Sequence, residues 1–375
     1  LVCCSIRNVY KYFLTIFLIS VNIILIFIMS TFYKTTIKEI KHETATAVSV
    51  LFHIPENQEK TFQFTAGQYI TLQKEIHDEL VRRAYSICAT PQSGELKVAI
   101  KAVDKGMFSS YATSELKVGD AIEISAPEGR FQLQPQPNKN YIAFAAGSGI
   151  TPILSMVKSV LENEPSATFT LVYGNKTVAE TMFYEELLQL KKQYANFQLE
   201  FICSRERQEN ALFGRIDKAF TNFFIKNKYK DTAFDSAYLC GPVEMIHTVS
   251  DTLKEGGFSA ENIHFELFTT SVNEEEASKI KDGTTEITIL LDDDETTFTM
   301  TQTDSILAAA LRHHVDAPYS CQGGVCSSCL AKVTEGKAVM TKNSILTDSE
   351  VSEGFILTCQ AHPTTSKIRI DFDDV

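Results

Sequence analysis

The sequence predicts a multidomain protein: an antiparallel β-barrel, then an α/β domain on a parallel sheet, then a small α+β domain. Three observations carry this prediction. From Phe32 to about Pro137, short runs of alternating polarity are punctuated by Gly, Pro and Asp, as in a barrel of short strands. From Asn140 to Phe268, apolar strand-like runs alternate with helical segments, which implies a parallel sheet covered by helices. Near the C-terminus, Cys321, Cys326 and Cys329 are spaced Cys-x4-Cys-x2-Cys, and Cys359 follows after 29 residues. At 375 residues the chain is too long for one core.

Residues 1–30 stand apart. Phe13 to Met29 is apolar except for Thr15, Ser20 and Asn22, and is long enough to cross a bilayer. Met29-Ser30 has the form of an ordinary start, so translated upstream DNA, a membrane anchor and an export signal are the three readings. The export signal is the poorest, because no small-residue cleavage site follows. Residues 31–137 then form the barrel, with strands expected at Tyr33–Lys41, Gln68–Gln73, Arg83–Ala89, Leu96–Val103 and Ala121–Ser125. Residues 138–268 form the α/β domain. Its strands are expected at Tyr141–Ala146, Phe169–Tyr173, Leu199–Cys203, Ala237–Cys240 and Ile263–Phe268. Its helices should start at Pro152 and span Met182–Tyr194 and Val243–Glu255. Residues 269–283 are polar and aperiodic and read as a linker. Residues 284–375 hold strands at Glu286–Leu291, Thr296–Met300, Ala331–Glu335 and Ile368–Phe372, one helix at Ile306–His313, and the cysteine loop.

The cysteine spacing is that of plant-type [2Fe–2S] ligation, in which one tight loop wraps the cluster and a distant thiolate closes it. Glycines and serines in Ser320–Cys329 let backbone N–H groups turn toward the cluster sulfurs. Four thiolates also suit zinc, but zinc sites usually come as two Cys-x2-Cys pairs, and one such pair occurs here. The thiols Cys88, Cys203 and Cys240 are scattered, which points to a reducing, cytoplasmic compartment and not to a disulfide framework. From Asn273 onward 18 acidic residues face 8 basic ones. That balance argues against nucleic acid and for a basic protein surface as partner, unless it serves only solubility.

Three further motifs point to nucleotides. In the barrel, Arg83, Tyr85 and Ser86 offer a phosphate grip, a stacking ring and a hydroxyl, at what reads as the start of a strand. Gly106, Phe108 and Ser109 lie where a glycine opens a helix, a place suited to a pyrophosphate. Together they suggest a flavin dinucleotide. In the α/β domain Gly147, Gly149, Thr151 and Pro152 mark a strand–glycine–helix turn, and Cys240, Gly241 and Pro242 repeat that logic. Ser204 and Arg205, with Arg207, stand at a third strand end, where a hydroxyl and arginine suit the 2′-phosphate of NADPH and an acid would suit NADH.

The order of these motifs resembles the ferredoxin–NADP+ reductase superfamily fused to a C-terminal plant-type ferredoxin domain, of β-grasp fold. Phe64–Tyr69 looks like that barrel's opening strand and Pro127–Phe131 like its exit. The resemblance implies that Arg83 meets FAD phosphates, Tyr85 packs on the isoalloxazine and Ser86 lies near its N5. It places Gly106, Phe108 and Ser109 at the pyrophosphate, Thr151 and Cys240 near the nicotinamide, and Glu266 and Phe268 beside the flavin. Ser86, Glu266 and Cys240 are then the candidate catalytic residues, tuning the flavin; no protein acid or base is expected to be essential to hydride transfer. With its iron–sulfur domain last, the chain is most similar to reductase components of multicomponent oxygenases, in particular those of ring-1,2-phenylacetyl-CoA epoxidases. The implied enzyme passes electrons from NADPH through FAD and the cluster to an oxygenase component, a diiron epoxidase. A reductase for a fatty-acyl desaturase or a hybrid-cluster protein, and a non-catalytic zinc or redox module, are the alternatives.

Overall fold

The computed structural model describes residues 32–268 and 272–375. The apolar run Phe13–Met29 lies outside the described residues, as do the linker residues Thr269–Ser271. No helix among the described residues is long and apolar enough to cross a membrane.

Six strands form the first sheet: β1 (Tyr33–Thr44), β2 (Ala47–Phe52), β3 (Tyr69–Ile76), β4 (Glu79–Ser86), β5 (Lys97–Lys101) and β6 (Ala121–Ile124). Their order is β4-β3-β6-β1-β2-β5, every neighbouring pair antiparallel. A bridge from Ile87, just past β4, to Val98 on β5 closes the barrel. The sequence places Arg83–Ala89 in one strand with Arg83 at its start. The strand instead begins at Glu79, and Arg83 lies in its second half. The reason is a tight turn at His77 and Asp78, whose φ values of 52° and 64° match the twist of a two-residue hairpin. No glycine announces that turn. Similarly, Phe64–Gly67 is not a strand: its backbone pairs through one bridge, Ala66 to Leu133, and Phe64 packs on the barrel core before β3 begins.

The α/β domain carries β7 (Asn140–Ala146), β8 (Thr168–Asn175), β9 (Phe197–Cys203), β10 (Ala211–Phe213), β11 (Ser236–Gly241) and β12 (Ile263–Leu267). All pairs are parallel, in the order β10-β9-β8-β7-β11-β12. The chain winds outward from β7 to one side, then returns to place β11 on the other. The carboxyl ends of β7 and β11 therefore flank the switch point, where open α/β sheets bind ligands. Both predicted glycine turns sit there. The helix Ile150–Asn163 packs on one sheet face, and Val243–Glu255 on the other. Pro152 occupies the first turn, where a backbone N–H would have no intrahelical acceptor and its absence costs no hydrogen bond. The first of these cores is shared with the barrel: Ala66, Cys88, Phe131 and Leu133 pack with Ile150, Ile153 and Met156. A buried hydrogen bond from Ser155 Oγ to Ala89 O, 2.6 Å, adds a polar pin.

The C-terminal domain contains β13 (Thr284–Leu291), β14 (Asp294–Thr301), β15 (Leu330–Glu335), β16 (Ala338–Met340), β17 (Phe355–Leu357), β18 (Ala361–Pro363) and β19 (Lys367–Asp371). Its main sheet runs β14-β13-β19-β15-β17, with β13 and β19 parallel and the rest antiparallel. The helix Ile306–Arg312 packs into its core, the arrangement of a β-grasp. Part of the expected linker is helical: Asn273 caps a single turn, Glu274–Ala277, by accepting from Glu276 N.

Gly149 shows how closely the two glycine turns approach. A Cβ there would lie 2.1 Å from Cys240 O. Gly149→Ala is expected to destabilise the protein by about 1–3 kcal/mol through overpacking. A urea midpoint equal to that of the unmodified protein would contradict this close approach.

Candidate functional site

Gly147, Gly149, Ser204, Gly241, Pro242 and Phe268 all line one cavity of about 690 Å³. Lys101 and Val103, at the end of β5, form its barrel side. The cavity therefore spans the barrel and the carboxyl edge of the parallel sheet. Gly147 has φ +55°, with nothing within 4 Å of where a Cβ would stand, so the backbone there is open to a ligand. In the wall, Asn175 Nδ2 is buried with no acceptor among the described residues. A buried amide donor left unpaired is costly unless a ligand completes it. An open glycine cradle and an orphaned donor fit a dinucleotide.

Thr151 and Pro152 are buried behind the glycines and do not line the cavity; Thr151 Oγ1 donates to Ser148 O at 3.0 Å. Cys240 is fully buried on β11, opposite Glu266 on β12. Burial pushes the Cys240 thiol well above its usual range, with the Glu266 carboxyl adding to the shift. Glu266 itself is pushed up to about 8 by burial, although the Ser86 hydroxyl pulls the other way. Ser86 Oγ donates to Glu266 Oε2 at 3.1 Å across the domain boundary. Thus two of the candidate catalytic residues, 180 positions apart, are joined by one hydrogen bond.

The other barrel candidates lie near β4. Arg83 Nη1 donates to Arg82 O at 2.7 Å, and Tyr85 packs on Phe108 with ring centroids 5.6 Å apart. Phe108 is wholly buried and supports Tyr85 from within the barrel. Ser109 Oγ accepts from Val103 N and donates to Gly106 O, both at 3.2 Å, which shapes the loop before its helix. Arg205 is exposed and outside the cavity lining; its N–H donates to Lys176 O at 2.9 Å. Arg207 stacks over Phe213 at 4.5 Å. The cations that do line the cavity on this side are Lys176 and Arg215, which sequence reasoning missed. Lys176 follows the last residue of β8, and Arg215 follows Gly214 just past β10. Composition alone does not mark either position.

The four loop cysteines converge. Cys326 Sγ lies 3.1 Å from Cys321 Sγ, and Cys359 is within hydrogen-bonding reach of Cys321 and Cys329. All four are free thiols. Hydrogen bonds from Cys326, Cys359 and the N–H groups of Gly323 and Val325 hold the Cys321 thiol well below its usual range. Thr358 Oγ1 secures the loop from outside by donating to Cys329 O at 2.9 Å. Sulfurs that run from Cys326 to Cys321, Cys359 and Cys329, with backbone donors around Cys321, fit a cluster held by thiolates.

Comparisons with known proteins agree with this architecture. Three family models match in sequence order: "Oxidoreductase FAD-binding domain" over 34–133, "Oxidoreductase NAD-binding domain" over 144–251 and "2Fe-2S iron-sulfur cluster binding domain" over 289–364. The chain is 38% identical over 360 residues to one of the subunits of 1,2-phenylacetyl-CoA epoxidase from Escherichia coli (strain K12), covering 92% of this chain and 99% of that one. It is 28% identical to the ferredoxin reductase component of 3-ketosteroid-9-alpha-monooxygenase from Rhodococcus rhodochrous, over 90% of this chain and 96% of that one. The structure of phthalate dioxygenase reductase shares the fold, with TM-score 0.63, 24% identity, and coverage of 91% and 98%. The chain belongs to the family of FAD-, NAD- and [2Fe–2S]-binding oxidoreductases that includes the matched component of 1,2-phenylacetyl-CoA epoxidase.

Proposed function

We propose that this NAD(P)H-dependent oxidoreductase uses NADPH and delivers its electrons to an oxygenase component, the diiron centre of a phenylacetyl-CoA epoxidase. The observation that carries the partner is the end-to-end match to a component of that epoxidase, with 99% of its length covered. FAD held on the barrel side would supply the means to convert a two-electron hydride donation into single-electron release toward the cluster. The chain supplies position. Gly147, Gly149 and Gly241 admit the dinucleotide backbone, and Phe268 closes the cavity beside them. Arg83, Tyr85, Gly106 and Ser109 take the FAD side, with Phe108 supporting Tyr85. Glu266, raised to about 8, keeps its proton at neutral pH next to the Ser86 hydroxyl. That pair holds a proton at the domain boundary without placing a charge there. Cys321, Cys326, Cys329 and Cys359 hold the cluster. Cys88, Cys203 and Cys240, thiols outside the cluster loop with no disulfide partner among the described residues, support a reducing, cytoplasmic setting.

Reconstitution tests the partner. The chain should drive NADPH-dependent turnover of phenylacetyl-CoA when mixed with the oxygenase components of the epoxidase, and Cys326→Ser should abolish this. The same variant should retain FAD and NADPH-driven ferricyanide reduction, because the path is cut after the flavin. Loss of both activities would mean that the flavin and cluster units do not function separately.

The coenzyme is tested at β9. Lys176 and Arg215 bring positive charge to that end of the cavity beside the Ser204 hydroxyl, with Asp217 as the nearby acid, and this supports a 2′-phosphate there; Arg205, next to Ser204 in sequence, lies outside the lining. A charge-assisted hydrogen bond of about 1.5–3 kcal/mol from Arg215, which lines the cavity, makes Arg215→Ala roughly 10- to 150-fold worse in kcat/KM for NADPH. NADH kinetics should not change. An unmodified protein that prefers NADH would overturn the coenzyme assignment.

A further inference from the structure

The cluster loop does not merely lie near the barrel. On β3, alternate residues Tyr69, Thr71 and Gln73 share one face, while Ile70 and Leu72 enter the barrel core. The paired strand adds Arg82, opposite Gln73, to the same face. Each of these residues except Gln73 reaches the C-terminal domain. Thr71 Oγ1 and Ser320 Oγ are 2.6 Å apart, with both residues buried. Tyr69 OH lies 3.4 Å from Ser328 Oγ, and each hydroxyl also donates to Glu128 Oε2, at 3.4 and 3.3 Å. Arg82 is held between Phe32 and Tyr319 at 4.8 and 4.5 Å and faces Asp316 at 4.0 Å. Gln73 completes the row by accepting from Arg82 Nε.

The placement of these partners is specific. Ser320 immediately precedes Cys321, and Ser328 immediately precedes Cys329. Two cluster cysteines are thus tied, one residue away, to consecutive same-face positions of a single barrel strand. That strand pairs with β4, whose last residue, Ser86, is in register with Tyr69. The flavin-side candidates and the cluster loop consequently hang from one rigid two-stranded ribbon.

We propose that Thr71 and Ser320, backed by Tyr69, Glu128 and Ser328, are positioning residues that set the distance and orientation of the cluster relative to the flavin. This rests on the reductase reading given above. In the step they serve, one electron leaves the reduced flavin and one ferric ion of the cluster becomes ferrous. The hydroxyl pair touches neither reacting group and acts by fixing the docked arrangement.

Thr71→Val keeps the shape of the side chain and removes the hydroxyl, which leaves buried Ser320 Oγ without its partner. In anaerobic stopped-flow of the full chain loaded with FAD and cluster, flavin bleaching by NADPH should proceed at the unmodified rate. Cluster bleaching should slow about tenfold, the equivalent of ~1.4 kcal/mol for one lost buried hydrogen bond. Thr71→Ser, which restores the hydroxyl, should restore the rate, while cluster g-values and midpoint potential stay unchanged in all three proteins. Ser320→Ala probes the same bond from the other domain and leaves the barrel intact should Thr71→Val fold poorly. Transfer at the unmodified rate in either deletion variant, or a Thr71→Ser protein as slow as Thr71→Val, would overturn the proposal. Failure of the reductase reading would look different: neither NADPH nor NADH would bleach the flavin of the unmodified protein, and the same comparison would then start from light-reduced flavin.

Discussion

The alternation of side chains along the β3–β4 hairpin is the constraint on which the assembly depends. Adjacent residues of a strand face opposite ways, so this one ribbon serves two purposes. Ile70 and Leu72 fill the barrel, while Thr71, Tyr69 and Arg82 meet the cluster domain. At the end of the ribbon, Ser86 reaches Glu266 on the parallel sheet. Remove the ribbon and the three domains lose their common reference. The pair Arg82 and Arg83 illustrates the point: neighbours in sequence, they lie in different places, Arg82 sandwiched at the seam and Arg83 half-buried with its Nη1 donating to Arg82 O.

The two interfaces on the barrel differ in kind. Toward the α/β domain the barrel shares an apolar core, with Phe131 and Leu133 packed against the helix that follows the glycine turn. Apolar burial there is non-directional and favours a fixed contact. Toward the cluster domain the contact is a seam of hydroxyls around the Glu128 carboxylate, the sandwiched Arg82 facing Asp316, and an Arg130–Glu350 pair. Hydrogen bonds are directional, and each contributes only about 1 kcal/mol net, so this seam specifies orientation more than it adds stability. Such a division suits a chain in which the nucleotide cavity must be built from two domains, whereas the cluster must be held at a defined place.

Much of this was legible in the sequence because the features are local. The cysteine spacing, the glycine turns after apolar strands and the order of the domains all depend on residues close together in the chain. What was not legible follows from two causes. Turns at His77–Asp78 and Asp292–Asp293 place non-glycine residues at positive φ, so the hairpins they close carry no glycine signal, and the start of β4 was missed. The seam joins residues 249 and 259 positions apart, Thr71 with Ser320 and Tyr69 with Ser328, and no sequence pattern pairs them. The period-two row Tyr69, Thr71, Gln73 was visible, but a polar row on a barrel strand reads equally as a solvated face. Arg215 and Lys176 were missed for a related reason: their place in the cavity is set by the topology of the sheet, which brings the ends of β8, β9 and β10 to one edge.

The central claim is that flavin and cluster are joined within one chain by a fixed interface. The direct measurement is the rate at which the reduced-cluster EPR signal appears after anaerobic mixing with NADPH, taken over a wide range of protein concentration. A fixed interface makes transfer intramolecular, so the observed rate constant should not depend on protein concentration. A rate constant rising in proportion to protein concentration would mean that electrons pass between chains, and would contradict the account.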